Sequence, residues 1–322
     1  MRDPETMNYL RTAMQSLEIR MLGLALSLAI GLSLMSPYFL TKNNIFNILD
    51  QSVMIGIVSV GMTFVILVRG IDLSVGSVAG LSGIILGLAL QHFNLPIPLA
   101  ILVAACSGAF IGLISGTLIA VFGLAPFVVT LGMMAIARSL AYIFSGQRAI
   151  SSIPESLSNI VYTTVFGIPA NVIFLLCLYV VAFAYLRYTK GGRTIYAIGS
   201  NPEAARAAGL NVTFYSILPY VLSGMLAAVA ITFSIAQILS ADPLGGNLME
   251  LDAIAAVVIG GASLAGGRGT IIGTLLGVFI MVMIRNGLNL LGVSPFWQGS
   301  AMGLIIISAL LMERMLNWRN RR

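Results

Sequence analysis

Charge is what this sequence has least of. Only 9% of its 322 residues are Asp, Glu, Lys or Arg, where soluble domains carry about a quarter. Together with 58% hydrophobic residues and a mean hydropathy of +1.00, that scarcity excludes a soluble globular chain and leaves a polytopic membrane protein. Histidine is almost missing: His92 stands alone in a loop-like stretch, QHFNLPIP. The two cysteines, Cys106 and Cys177, lie inside apolar runs without disulfide or metal-site spacing, and are expected to be core filler. No HExxH and no Ser/His/Asp set occurs, so no catalytic residue and no metal ligand is predicted. GGASLAGGRGT, Gly260 to Thr270, looks like a phosphate cradle but departs from G-x-x-x-x-G-K-[ST], because Gly261 and Gly266 are followed by Gly267 and Arg268. A tight turn that uses the positive φ open to glycine is expected there instead.

Long apolar runs are what the chain has. A spanning helix needs about 20 apolar residues, and runs bounded by polar or Gly/Pro punctuation predict ten spans, near 21–40, 51–68, 73–91, 97–122, 126–145, 168–186, 214–238, 252–264, 270–291 and 296–312. The eighth is shorter than a bilayer requires, which points to a broken or partly buried helix. The chain is thus an all-α single transmembrane domain over 21–312, with a polar segment 1–20 before it and a basic tail 313–322 after it. The start lacks the cationic opening and short apolar core of a cleaved signal peptide, so the first span is expected to stay as an anchor.

Orientation follows from the cations. With the N-terminus in the cytoplasm, 13 of the 17 Lys and Arg fall on the inside, all but Lys42, Arg138, Arg148 and Arg285. The outer loops collect Asp50, Glu155, Asp242 and Glu250. Both termini are then cytoplasmic. The net charge of +6 follows from this topology and calls for no nucleic-acid partner.

The two halves repeat. Asp72 opens the third span (IDLSVGSVAG) and Asp252 the eighth (LDAIAAVVIG), each with a glycine eight residues on, Gly80 and Gly260. Gly108, Gly112 and Gly116 in span 4 match Gly269, Gly273 and Gly277 in span 9, and GLAPF (123–127) matches GVSPF (292–296). Five spans per half is odd, so the second copy enters the membrane from the opposite side, an inverted repeat. The glycine ladders predict closely packed helices. Asp72 and Asp252 are read as helix caps. Both are placed at the membrane edge, which weighs against a proton or ion coupling site.

Arg187 to Val212 is the longest cation-rich interruption. Its centre reads as a short helix with Asn201 as cap, Pro202 first, Glu203 in the first turn and Gly209 as stop. Arg138 and Arg285 are the cations within spans. They either snorkel to the interface or face the bundle interior. Asn286, Asn289 and Gln298 add amides in the same region, which suits a hydroxylated solute, so these five residues are the translocation-path candidates.

Four segments now carry a family likeness: GMTFVILVRGIDLSVGSVAGLSG (61–83), APFVVTLGMMAIARSLAYIFSG (125–146), LDAIAAVVIGGASLAGGRGT (251–270) and IRNGLNLLGVSPFWQ (284–298). They resemble the ribose-type monosaccharide permeases of bacterial ABC importers, along nearly the whole chain. The resemblance implies a ten-helix inverted-repeat fold also seen in vitamin B12 importers, in the bacterial inner membrane. It implies a second permease copy, identical or similar, two cytoplasmic ATPase subunits that hold ATP and Mg, and an extracytoplasmic sugar-binding protein. No cofactor is implied for this chain itself. Glu203 to Pro219, EAARAAGLNVTFYSILP, resembles the EAA loop through which such permeases contact their ATPases. Glu203, Ala204, Ala205 and Gly209 match it, while the spacing on to Ile217, Leu218 and Pro219 is shorter than the common form. The coupling segment is therefore 187–213, with Asn201, Pro202 and Arg206 beside the matching residues. Permeases for autoinducer-2, nucleosides or branched-chain amino acids share the architecture and leave the solute open. A secondary transporter would need ion-binding acids near the midplane, and a membrane scaffold would need neither repeat nor docking segment.

Overall fold

The computed structural model describes residues 17–294 and, beyond them, 297–300, 303, 304, 307, 308 and 311. Its helices are α1 (Leu17–Met35), α2 (Lys42–Leu67), α3 (Val75–Gln91), α4 (Ile97–Ala120), α5 (Pro126–Ser145), the single turn α6 (Asn159–Tyr162), α7 (Ala170–Tyr188), α8 (Lys190–Ser200), α9 (Pro202–Ala207), α10 (Val212–Ile238), α11 (Met249–Ile259) and α12 (Ile271–Leu290). A two-stranded antiparallel hairpin, Thr164–Val165 with Ile168–Pro169, precedes α7. Among the described residues seven helices are long and apolar enough to cross a membrane: α1, α2, α4, α5, α7, α10 and α12. The polar segment before residue 17 lies outside the described residues, as do the basic tail and 8 of the 17 residues of the tenth predicted span.

α2 and α10 form the centre. The apolar window of α2 is 72% buried, against 6% for α1, so one helix is core and the other faces outward with Leu22, Leu26, Ile30 and Leu34 exposed. α2 and α10 pack on each other, α10 packs on α3 and α4, and α2 packs on α11 and α12. α2 and α10 thus exchange partners, each packing on the two helices that follow the other. The glycine ladders account for the close approach. A Cβ on Gly108 would collide with the Gly224 carbonyl across α4 and α10, and one on Gly260 with the Gly273 carbonyl across α11 and α12.

Three expectations are corrected. α2 begins at Lys42, capped by Thr41, nine residues before the apolar run at 51. Polar Asn43, Asn44, Asn47 and Asp50 are helical all the same, and hydropathy does not register them. Cys106 and Cys177 are exposed on helix surfaces, not in the core, because a helix that is apolar all round carries apolar residues on its lipid face too. Asp72, placed at the membrane edge by its position in sequence, lies inside the bundle. Its carboxylate accepts from Ser223 Oγ at 2.8 Å, and Ser223 sits near the middle of α10. After Leu67 the chain reverses at Arg69 and Gly70, where Gly70 N donates to Val65 O, and Gly70 lies against Val65 of α2 and Tyr220 of α10 before α3 starts. In the connection after α10, Ala241, Pro243, Gly245 and Gly246 lie against Gly87, Gly80 and Gly76 of α3.

Candidate functional site

Two polar regions stand at opposite ends of α2. At the end where α2 finishes, α8 and α9 form the predicted interruption as two short helices. Asn201 is the hinge between them. Its backbone ends α8 and its side-chain oxygen accepts from Glu203 N and Ala204 N, both at 3.0 Å, which satisfies two amides that a helix start leaves unpaired. Pro202 takes the first helical position, and Gly209 stops the segment at φ +76°. Ala205 is buried against Ile198 and Val212, while Glu203, Ala204, Arg206 and Gly209 are exposed. The capped helix presents its polar face outward.

The end of α8, which leads into that helix through Asn201, is held to the bundle by contacts to its backbone. Arg69, in a left-handed conformation at φ 67°, donates from Nε to Gly199 O at 2.7 Å and from Nη2 to Ser200 O at 2.5 Å. A cation therefore sits on the unpaired carbonyls at the end of α8. Gly267 N donates to Leu67 O at 3.0 Å. A Cβ on Gly199 would strike both Leu67 O and Gly267 N, and one on Gly266 would strike the Arg69 side chain. The glycine stretch 260–270 is thus the expected tight turn, with Gly261, Gly266 and Gly267 at positive φ, and it joins the ends of α2 and α8. Tyr196 OH donates to Gly269 O at 2.8 Å; burial pushes its pKa up, against the smaller opposing effect of Arg187, so it stays a donor.

At the opposite end of α2 lies a cavity of about 350 Å³. Its walls come from the starts of α2, α7 and α11 and the far ends of α10 and α12. Asp50 is its centre, accepting from Asn171 Nδ2 at 2.5 Å and Gln237 Nε2 at 2.6 Å. Across it, Arg285 Nη2 donates to both oxygens of Asp252, at 2.7 and 2.9 Å. Sequence reading missed Asp50, Asn171 and Gln237 as a set, because they lie 121 and 187 residues apart. The one signal available was a polar residue punctuating the end of each apolar run.

Of the five path candidates, Arg285 alone lines this cavity. Arg138 faces the interior rather than the interface and donates to Pro243 O and, at 3.3 Å, to Gly245 O, tying α5 to the connection after α10. Asn286 exchanges amide hydrogen bonds of 2.8 and 2.9 Å with Asn44 of α2. Asn289 accepts from Gln298 Nε2 at 2.6 Å. The two aspartates read as caps have other partners. Ser74, not Asp72, is the N-cap of α3, and Asp72 is held by Ser74 and Ser223. Asp252 occupies the first turn of α11, where the N-cap is Leu248, and its carboxylate pairs with Arg285.

Comparison with known proteins places this arrangement. The ribose import permease RbsC of Escherichia coli K12 is 39% identical over 285 residues, covering 87% of this chain and 88% of the relative. RbsC of Bacillus subtilis is 41% identical over 290 residues, covering 89% of each. The galactose/methyl galactoside import permease MglC of Escherichia coli K12 is 37% identical over 297 residues, covering 87% and 88%. A family model described as the permease component of the branched-chain amino acid transport system matches residues 44–310, and the chain belongs to that family of permeases.

Proposed function

We propose that this chain is the membrane-spanning permease subunit of an ATP-driven bacterial importer for a monosaccharide. The observation that carries the reading is the pairing of a capped, outward-facing helix at one end of α2 with a polar cavity at the other. Relatives named as ribose and galactose permeases support the sugar. In this reading α9 is the contact for a cytoplasmic ABC ATPase that holds ATP and Mg, with Glu203 and Arg206 offered to it. The cavity end faces outward, toward a sugar-binding protein, and a second permease copy completes the pathway. Both termini are cytoplasmic, and the spans number ten in two inverted halves, as in vitamin B12 importers. The partner exchange of α2 and α10 supports that arrangement. The chain itself hydrolyses nothing.

The joint at Arg69, Gly199 and Gly267 supplies a mechanism. When the ATPases close they displace α9, and the joint carries that displacement into α2 and the α11–α12 turn. Those three helices also wall the cavity, so it opens and closes with the ATPase cycle, an alternating-access motion of rigid elements. The depth of Asp72 removes one objection to ion-coupled secondary transport, but both its oxygens are already engaged by serine hydroxyls. A permease for another small polar solute, such as autoinducer-2, a nucleoside or a branched-chain amino acid, would share every one of these features except the sugar.

The test is reconstitution of the chain in proteoliposomes with its ATPase and binding protein. ATP-dependent uptake of D-ribose, D-allose or D-galactose is expected, and deletion of 202–209 should abolish ATPase co-purification. Uptake that persists without ATP, or a deletion variant that holds the ATPase normally, would sink the reading.

A further inference from the structure

We infer that the cavity around Asp50 is a solute site within each permease protomer, built for a neutral monosaccharide and closed to phosphorylated sugars. The inference rests on the importer reading above and identifies where, and for what chemistry, this chain itself contacts the solute. Three observations carry it.

The first is size. About 350 Å³ lies at the lower end of the range for small-molecule sites and suits a single sugar ring.

The second is the lining. Asn171 is 1% exposed and spans the gap to Asp50, so the polar centre is built into the fold and is not a chance meeting of surface side chains. Asn47, Gln51, Ser234 and Asn247 add amide and hydroxyl groups around it, and Phe233 forms part of the wall. A carboxylate flanked by amides, with an aromatic ring beside it, matches a sugar. Each ring hydroxyl both donates and accepts, and the C–H face of the ring packs on an aromatic. A solute with few hydroxyls would strand these groups without partners, which is how polar sites reject the wrong ligand.

The third is charge. Asp50 and Asp252 face a single cation in the lining, Arg285, and Arg285 is already engaged by Asp252. The cavity therefore carries one net negative charge, with Asp50 held by neutral amides. A phosphate would meet that carboxylate at close range, and the two like charges repel.

The experiment uses the purified full-length chain in lipid nanodiscs without its partners, read by saturation-transfer NMR. The probes are D-ribose, D-allose, D-galactose and D-ribose 5-phosphate. Transfer to at least one neutral sugar is expected, with none to the phosphate. Asp50→Asn keeps the shape of the site and should cut the transfer at least fivefold. Asn247→Trp, placed on an exposed connection away from both hydrogen-bonded sets, should block it without disturbing the fold. The same two variants should lower ATP-driven uptake by at least tenfold in the assembled transporter while its ATPase remains bound. Equal transfer to ribose 5-phosphate overturns the inference, as do signals and uptake unchanged in both variants. An assembled transporter that carries one of these sugars while none shows transfer to the free chain overturns it too. An assembled transporter that carries no sugar on ATP is a different result and counts against the importer reading instead.

Discussion

The two ends of α2 are built by opposite means. At the α9 end three backbones meet in direct contact, the close of α2, the close of α8 and the glycine turn at 260–270, with the Arg69 side chain bonded to the close of α8. At the cavity end five helices stand apart, and side chains fill the space between them. The difference follows from what each end handles. Displacement passes best through backbone in direct contact, since a close-packed joint has no rotamers to absorb it. A solute needs room, exchangeable hydrogen bonds and a share of water. The same helix serves both ends because its Asn, Asp and Gln lie near its start, while the glycines that meet its last turn are supplied by α8 and by the turn at 260–270.

The comparison breaks most sharply at Gly199. A Cβ there would overlap Leu67 O and Gly267 N, so Gly199→Val must drive the joint apart or unfold it. A cost above about 4 kcal/mol is expected, the range reserved for severe backbone clashes, seen as loss of the monodisperse protein peak and a collapsed melting transition. Asn47→Val at the exposed start of α2 should shift stability by no more than about 0.5 kcal/mol. If the two variants behave alike, the ends do not differ as described.

Arg69 sharpens the contrast without adding bulk. Arg69→Ala removes two hydrogen bonds from a cation to carbonyls at a helix terminus, each worth about 1.5–3 kcal/mol in a charged pair, from an exposed side chain whose solvation discounts that figure. The ATPase should still co-purify, because α9 keeps its Asn201 cap. Sugar carried per ATP hydrolysed should fall roughly tenfold, and Arg69→Lys should restore part of it. Uptake and hydrolysis falling in equal proportion would make Arg69 a docking residue instead.

Much of this was legible in the chain, for definable reasons. Asn201, Pro202, Glu203 and Gly209 predicted a capped short helix because capping is local: the groups that must be satisfied lie within three residues. The glycine ladders predicted close helix packing because spacing along one helix determines which face carries them. The cavity was not legible. Asp50 looked like an outer-loop acid, and its partners Asn171 and Gln237 each looked like the edge of a separate apolar run. Their meeting depends on tertiary packing that no window of sequence contains. Asp72 failed for a related reason: where the chain reverses against its own helices, the end of an apolar run is not the edge of the membrane. Asn286, chosen as a path residue for its polarity, meets another amide rather than an open space.

That last pair gives the smallest and cleanest test. Asn44 and Asn286 are 5% and 4% exposed and satisfy each other across α2 and α12, one helical turn or so from the cavity yet absent from its lining. Interhelical hydrogen bonds of this kind in membrane proteins contribute on average about 0.6 kcal/mol and at most about 1.7. Asn286→Leu alone should cost more than that average, because it leaves the Asn44 amide buried and half-satisfied. The double variant Asn44→Leu/Asn286→Leu replaces both amides with apolar groups of similar size and should recover part of the loss in a thermal melt, less the bond that Asn44 also gives the Phe39 carbonyl. Its sugar uptake should match the unaltered protein. A double variant that is stable but transports poorly would return Asn286 to the pathway and blur the line between the side chains that hold this end together and those that meet the solute.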